Sequence, residues 1–385
     1  MQRPDYQGGS IVNLMSSIIE ARGGASIYPA LRVLPAGEMA DVSNIILLVI
    51  DGLGAGYLSR RSPQGILSRH LRGPITSVFP PTTAAAIPTF LTGDAPRQHG
   101  LTGWHTYLRE LGCVMTVLPG RPRYGGAGYR AAGIDPVRLF NHRPIFDRIE
   151  TKGYMVSPAH IARSDFNLAH IGQGTVVDFR DLAEMFHRTA RILRVNREPK
   201  YLYLYWPQLD EIGHMRGMDS TAAYAHLREI EQALTDFLVS AAGTDTLVLV
   251  TADHGQIDTI DRDCIDLSDH PDLEDCLVLP LCGEPRAAFC YVRPDKATRF
   301  ETYCRQELFE ALRLHRSIDL IEEGLFGSGP THPALADRVG DYTLLMREHY
   351  VIRQWLPFEQ RYMQVGVHGG LSETELTVPL SVLRA

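Results

Sequence analysis

The sequence has little of the pattern of a signal peptide near its start, no long apolar run and no paired-cysteine motif. Its first residues contain no apolar stretch of a signal peptide. Its longest apolar run, Ile45–Ile50, is far shorter than the roughly 20 residues that a helix needs to cross a bilayer. These absences predict a cytoplasmic protein with no membrane segment. The six cysteines include no C-x-x-C pair, which favours reduced thiols, although five of them fall between residues 264 and 304 and one disulfide there stays open.

The chain also lacks an excess of basic residues. Its 385 residues include 38 lysines and arginines against 45 aspartates and glutamates, so the net charge is −7. Binding to nucleic acid depends on basic clusters, and we therefore expect no nucleic-acid-binding surface. A hydrophobic content of 44% is typical of a globular protein, and the length fits one large α/β domain. The oligomeric state is not indicated.

Three short apolar runs predict buried strands of a parallel sheet. They are Asn44–Ile50, Tyr201–Trp206 and Thr246–Thr251, and nearly every residue in them is apolar. Between the last two, apolar residues recur at helical spacing over about 221–242, and Gly243 follows. A strand, a helix and a strand in this order form a βαβ unit. We predict an α/β fold with a central, mostly parallel sheet between helix layers.

Two segments interrupt this pattern. Residues 113–145 are rich in glycine, proline and arginine and predict a long loop. Residues 256–335 mix charge, proline and cysteine without a clear period until 300–314, which predicts a helix. We predict a single domain over residues 1–385, with 256–335 as a small cap-like insertion within it.

Acidic and histidine residues follow each of the three predicted strands. Because the carboxyl ends of parallel strands meet at one edge of a sheet, these side chains should converge there. Taken singly, each has an ordinary interpretation as a turn, helix-cap or surface residue. Together, their carboxylate and imidazole groups suit two divalent cations, with zinc ahead of manganese, and without a cation the carboxylates would repel one another. The six candidates are Asp51, Asp210, His214, Asp253, His254 and the late His368.

A candidate nucleophile lies where an extended, proline-containing segment meets an alanine-rich helix. Thr82 and Thr83 precede Ala84, and the helix should run to about Thr92 with Gly93 as its end. A hydroxyl at a helix N-terminus lies beside free backbone N–H groups, which bind phosphate oxygens. The same residues would serve equally as an ordinary helix cap, so the pattern alone leaves both roles open.

The ordered set of motifs resembles the nucleotide pyrophosphatase/phosphodiesterase branch of the alkaline phosphatase superfamily. The resemblance spans about residues 44–370 and implies an alkaline phosphatase-like core. In the family the nucleophile lies nine residues before the threonine of a closing Thr-Gly pair, which selects Thr83 over Thr82. The resemblance implies that Thr83 also binds metal, and it divides the ligands between two zinc ions. One set is Asp51, Asp253, His254 and Thr83, and the other is Asp210, His214 and His368.

Two departures from the family pattern concern the substrate. Family phosphodiesterases usually carry an asparagine after the His-Gly pair, where it helps to hold a phosphoryl oxygen, and here Trp104 stands in its place. The Trp104 indole and the adjacent His105 are therefore the candidate substrate-binding residues. In addition, alanines replace the bulkier family residues after the nucleophile. Both changes leave the metal-binding residues intact and make a nucleotide substrate doubtful.

The resulting hypothesis is a two-metal hydrolase of small phosphodiesters or phosphoanhydrides that acts through a covalent phospho- or nucleotidyl-threonine. A phosphomonoesterase or a phosphonate hydrolase on the same scaffold is the first alternative. A monoester would require extra positive charge, for which the candidates are Arg121, Arg123 and Arg130. The second alternative is a non-catalytic phosphate- or metal-binding protein.

Overall fold

A computed structural model describes residues 2–385 of the chain. The strands of this part are β1 (Asn44–Ile50), β2 (Leu71–Thr76), β3 (His105–Leu108), β4 (Cys113–Thr116), β5 (Arg121–Pro122), β6 (Lys152–Pro158), β7 (Thr175–Phe179), β8 (Lys200–Trp206), β9 (Thr246–Thr251), β10 (Ile257–Asp258), β11 (Cys264–Asp266), β12 (Cys282–Glu284), β13 (Ala287–Cys290), β14 (Leu312–Arg316), β15 (Tyr342–Met346), β16 (Val351–Arg353), β17 (Gly366–Val367) and β18 (Thr377–Arg384).

The α-helices are α1 (Ile11–Ala21), α2 (Gly37–Ala40), α3 (Ala55–Arg61), α4 (Ile66–Arg69), α5 (Thr83–Thr92), α6 (Pro96–His99), α7 (Pro136–Phe140), α8 (Asp165–Ala169), α9 (Leu182–Val195), α10 (Gln208–Arg216), α11 (Thr221–Ser240), α12 (Pro271–Glu274), α13 (Ala297–Gln306), α14 (Ser317–Glu322), α15 (Leu335–Val339) and α16 (Glu373–Leu376). Short 3-10 turns lie at Arg130–Ala132, Ile145–Asp147, Asp261–Asp263, Leu267–Asp269 and Pro294–Lys296.

The central sheet has the strand order β2-β18-β9-β1-β8-β6-β7. The four pairings from β9 to β7 are parallel, and only β18 runs against its neighbours. Every residue of β1, β8 and β9 is buried, because helices flank the sheet and cover both faces of these strands. The predicted α/β fold with a mostly parallel sheet is confirmed.

A second sheet of seven antiparallel strands has the order β14-β15-β13-β12-β3-β4-β5. It combines strands from residues 105–122 and 282–346, so it draws on both of the segments that interrupt the sequence pattern and extends beyond them. β3 reaches β12 through the pairing of His105 with Gly283. This pairing brings the two distant parts of the chain to the same side of the site described below. The division into one domain with a cap-like insertion at 256–335 stays a prediction.

One predicted element is wrong in its second half. The helix expected over residues 300–314 ends at Gln306 as α13, and Leu312–Arg316 forms β14. Leu312 and Leu314 fit a strand as well as a helix, and their backbone pairs with β15. Long-range pairing therefore decides the structure where the local pattern allows two answers.

Two further observations concern the absences in the sequence. All six cysteines are free. No helix within residues 2–385 combines the length and the apolar composition that crossing a bilayer requires.

Candidate active site

The candidate ligands at the ends of β1 and β9 lie side by side because the two strands are in register. Val49 pairs with Thr251, so both strands end at the same edge and Asp51 and Asp253 follow within two residues. The Gly52 backbone N–H donates to Asp253 Oδ1 at 3.3 Å. Gly52 has a φ of +75°, and an added Cβ would lie 3.1 Å from Asp210, so the turn after Asp51 requires glycine.

Asp210 and His214 lie one turn apart on α10, which begins directly after β8. The helix places both side chains on one face, and His214 Nε2 lies 3.1 Å from Asp210 Oδ2. The Gln256 side-chain amide donates to both the backbone carbonyl and the carboxylate of Asp210. Gln256 follows the Asp253-His254-Gly255 motif directly, so the same motif that supplies two candidate ligands also orients a third.

His368 follows the short strand β17 and closes the site from the C-terminal part of the chain. Its ring stacks on that of His254 with centroids 3.7 Å apart, and its Nε2 lies 3.9 Å from Asp210 Oδ1. Two groups of side chains have ligand atoms within 4.8 Å of one another. They are Asp51, Asp253 and His254, and Asp210, His254 and His368. His254 is common to both, and His214 joins through its contact with Asp210.

The residues present fit bound cations. Asp51 Oδ1, Asp253 Oδ2 and His368 Nδ1 are buried and have no hydrogen-bond partner within residues 2–385. Unpaired buried polar atoms are costly, and these three belong to the candidate ligands. Burial, and then the charges of Asp253 and Asp210, raise the pKa of Asp51 well above its ordinary value. A positive ion would relieve this repulsion, as the carboxylate and imidazole donors suggest.

The two adjacent threonines have different partners. Thr83 is the first residue of α5, and its Oγ1 lies 3.1 Å from His254 Nε2 and 3.4 Å from Asp51 Oδ2. Thr82 precedes the helix, and its hydroxyl donates instead to Glu284 Oε1 at 2.7 Å. Thr83 is therefore the hydroxyl that faces the candidate metal ligands, and it does so at the start of a ten-residue helix.

Sequence reasoning missed two side chains of this site. Tyr205, one residue before the end of β8, donates its hydroxyl to Asp51. It is the third of three alternating tyrosines in this strand, and this regular pattern is the sequence feature that could have indicated it. Glu284 is buried at the end of β12, and its Oε1 accepts from the Trp104 backbone N–H at 2.6 Å as well as from Thr82. Burial raises the pKa of Glu284 to about 7. No motif surrounds Glu284, so only the folded chain reveals it.

A cleft of about 1130 Å³ leads to the site. Trp104 lines it with 38% of its surface exposed, and so does His105. Burial, and then the nearby Arg123, lower the pKa of His105 to about 3, so this ring is neutral at neutral pH. Arg121 and Arg123 also line the cleft, whereas Arg130 pairs with Asp165 outside it.

A buried ion pair connects the second sheet to the loop after His368. Arg286 in the β12–β13 hairpin contacts both oxygens of Glu375, and the Gly370 backbone N–H donates to the same carboxylate at 2.7 Å. Both side chains are almost completely inaccessible to solvent. Removing one partner of such a pair typically costs about 3–5 kcal/mol. The contact therefore holds Glu284, on the same hairpin, against Gly369, the residue that follows His368.

The match to a family model defines the class of the protein, which is a phosphoric ester hydrolase with an α/β core. Residues 45–371 match the model of one family, described as type I phosphodiesterase / nucleotide pyrophosphatase. The chain belongs to this family, whose members depend on metal ions, and the resemblance seen in the sequence is confirmed. Family membership favours an enzyme over a non-catalytic binding protein. A comparison with curated protein sequences gave no match.

Solved structures share the fold at low identity. Murine ectonucleotide pyrophosphatase / phosphodiesterase 5 superposes with a TM-score of 0.67 at 16% identity, covering 88% of this chain and 87% of its own. An inactive form of that murine protein in complex with AMP gives 0.67 at 15% identity over the same shares. Phosphonoacetate hydrolase from Sinorhizobium meliloti 1021, in complex with phosphonoformate, gives 0.61 at 18% identity, covering 88% and 89%.

The position of Trp104 leads to a testable prediction. Replacing Trp104 with alanine should raise KM for p-nitrophenyl esters roughly fivefold, because the substrate loses an aromatic contact in the cleft wall. The side chain is partly exposed, so the thermal midpoint should change little. Steady-state kinetics and thermal unfolding check this. Tyr224→Ala is the matched control, since Tyr224 is 39% exposed on α11 and does not line the cleft. Equal KM values in both variants would contradict a role for Trp104.

Proposed function

We propose that this protein hydrolyses small phosphodiesters or phosphoanhydrides through a covalent intermediate on Thr83. The observation that carries the proposal is the position of Thr83 Oγ1, which lies at a helix N-terminus within 3.4 Å of both Asp51 and His254. A nucleophilic hydroxyl requires a neighbour that stabilises its ionised form, and candidate ligands on two sides of Thr83 provide for that.

Two divalent cations complete the proposed site, with zinc ahead of manganese. Asp51, Asp253, His254 and Thr83 would hold one, and Asp210, His214 and His368 would hold the other. When bound, the ions supply positive charge that lowers the pKa of the attacking hydroxyl and stabilises charge on phosphoryl oxygens. Tyr205 and Gln256 orient Asp51 and Asp210, respectively, so each candidate group has a neighbour that holds a ligand in place.

The chain's own groups suggest two chemical steps. The Thr83 hydroxyl loses its proton to solvent, and Oγ1 forms a bond to phosphorus while the bond to the leaving oxygen breaks and that oxygen departs with its electron pair. Water then attacks phosphorus, the bond from phosphorus to Thr83 Oγ1 breaks, and Oγ1 takes up a proton as the phosphoryl product leaves. The backbone N–H groups of Thr83 and Ala84 have no acceptor within residues 2–385 and lie at the N-terminus of α5. They are available for a phosphoryl oxygen, which carries negative charge throughout both steps.

A phosphomonoesterase or phosphonate hydrolase is the second candidate, and one observation favours it. Arg121 lines the cleft, is exposed, and forms no ion pair within residues 2–385, so it is free to contact a doubly charged group. Arg123 is less available, because it bonds to Glu359 and to two backbone carbonyls. The second candidate function therefore requires that the doubly charged group of the substrate contacts Arg121.

A substrate panel tests the proposal. Metal-loaded protein should turn over bis-p-nitrophenyl phosphate and a dinucleoside phosphoanhydride with a higher kcat/KM than p-nitrophenyl phosphate or phosphonoacetate. The expected preference for the diester over the monoester is roughly tenfold or more, since one of the two candidate arginines is already paired. Release of p-nitrophenol, and of phosphate from phosphonoacetate, gives the rates. A higher kcat/KM for p-nitrophenyl phosphate or for phosphonoacetate would select the second candidate, and no turnover of any substrate would reject both.

A further inference from the structure

Glu284 places an additional carboxylate beside the nucleophile. It lines the cleft, lies on β12 far from the ligand motifs in sequence, and is only 7% exposed. Both of its hydrogen bonds, from the Thr82 hydroxyl and the Trp104 backbone N–H, go to Oε1. Oε2 accepts no hydrogen bond from residues 2–385. One oxygen is therefore held in place by the chain, and the other receives no hydrogen bond from it.

The charges of the site explain why this carboxylate matters. The three aspartates, Asp51, Asp210 and Asp253, carry three negative charges, and two divalent cations would bring four positive ones. The excess is therefore one positive charge before the Thr83 hydroxyl ionises, and one more carboxylate cancels it. Charge interactions at a buried position are strong because little water screens them. A substrate with two negative charges would then enter a site that no longer has a positive excess.

We propose that Glu284 makes the site charge-selective, so that it accepts singly charged phosphodiesters and disfavours the doubly charged phosphoryl groups of monoesters and phosphonates. This inference rests on the proposed function and deepens it. Glu284 and Trp104 line the same cleft, and Glu284 accepts from the Trp104 backbone N–H. An ionised carboxylate can only accept hydrogen bonds, so Glu284 offers no donor to a phosphoryl oxygen and adds a negative charge instead.

The test compares Glu284→Gln with wild-type protein. Glutamine keeps an oxygen for Thr82 and Trp104 but removes the charge. The ratio of kcat/KM for p-nitrophenyl phosphate to that for bis-p-nitrophenyl phosphate should rise about tenfold. The dissociation constant of inorganic phosphate for the metal-loaded protein, measured by titration calorimetry, should fall by about the same factor. Both assays are run at alkaline pH, where carboxyl groups and inorganic phosphate are ionised.

Glu211→Gln is the matched control, since Glu211 lines the same cleft but is exposed to solvent, where its charge is screened. An equal shift in both variants, or an unchanged ratio and phosphate affinity in folded Glu284→Gln, would overturn the inference. Glu284→Ala should instead weaken turnover of both substrates, because Thr82 and the Trp104 N–H lose their acceptor. If Glu284→Gln also lost turnover of both substrates to the same extent, Glu284 would be only a positioning residue.

Phosphate binding separates this inference from the proposed function. If wild-type protein hydrolyses no phosphate ester, the proposed function fails, yet the calorimetric comparison still measures the effect of Glu284. Wild-type protein also offers a test that needs no variant. Inorganic phosphate should bind at most a few-fold more tightly than dimethyl phosphate. An advantage of more than about a hundredfold for phosphate would overturn the charge selection.

Discussion

Thr83→Ala should lower kcat for bis-p-nitrophenyl phosphate by a factor on the order of a thousand or more, because the attacking atom is gone. The bound metal should largely remain, since Asp51, Asp253 and His254 keep their positions without the hydroxyl. Steady-state kinetics and elemental analysis of the same preparation measure the two effects. If Thr83→Ala lost its bound metal along with its activity, Thr83 would act only as a metal ligand.

The matched variant is Thr83→Ser, which supplies the same oxygen with more rotamer freedom and should keep partial activity. Acid quenching during turnover, followed by peptide mapping, should find the phosphoryl group on Thr83. Thr82 is the internal control, because its hydroxyl is directed to Glu284. Label on Thr82, or undiminished turnover by Thr83→Ala, would require another nucleophile or direct attack by water.

Asp210→Ala and His254→Ala should each reduce activity by roughly a thousandfold or more without unfolding the chain. Each removes a candidate ligand and leaves nearby carboxylates uncompensated. Wild-type protein purified without chelator should contain close to two ions, the number that paired-metal hydrolases hold. The variants should contain fewer. Elemental analysis, kinetics and circular dichroism give the three measurements.

Glu211→Ala is the control for Asp210→Ala, because Glu211 is the next residue on the same helix and is exposed. It should keep both its metal and its activity. Full activity in well-folded Asp210→Ala or His254→Ala would remove that residue from the site. Full wild-type activity with at most one bound ion would contradict the two-metal proposal.

The local sequence pattern was sufficient to predict the helices and strands that carry the candidate ligands. The run Asn44–Ile50 is a strand with the predicted bounds, and so is Thr246–Thr251, because continuous apolar residues suit strands buried on both faces. The helix from Thr83 to Thr92 ends at Gly93, whose φ of +79° is easily adopted by glycine. In each case the signal lies within a few consecutive residues, so no knowledge of distant partners is needed.

Local pattern was insufficient where the structure depends on distant pairing. The second sheet joins β3 to β12 across nearly half of the chain, and neither strand has a strong period of its own. The C-terminal part of the expected helix over 300–314 became β14 for the same reason, since its partner is β15. The backbone of such short strands is satisfied only after the chain has folded.

The amino-acid sequence by itself determined the α/β class, the family and the order of the candidate ligands, because these depend on short motifs placed directly after buried strands. The family spacing selects Thr83 over Thr82, but only the tertiary structure shows that Thr83 faces those ligands and that Thr82 bonds Glu284. Thr82 and Thr83 are adjacent and chemically identical, and only the directions of their side chains at the start of the helix distinguish them. Glu284 reaches them through a hairpin held by the buried pair of Arg286 with Glu375. That contact joins residues far apart in the chain, so no local pattern contains it.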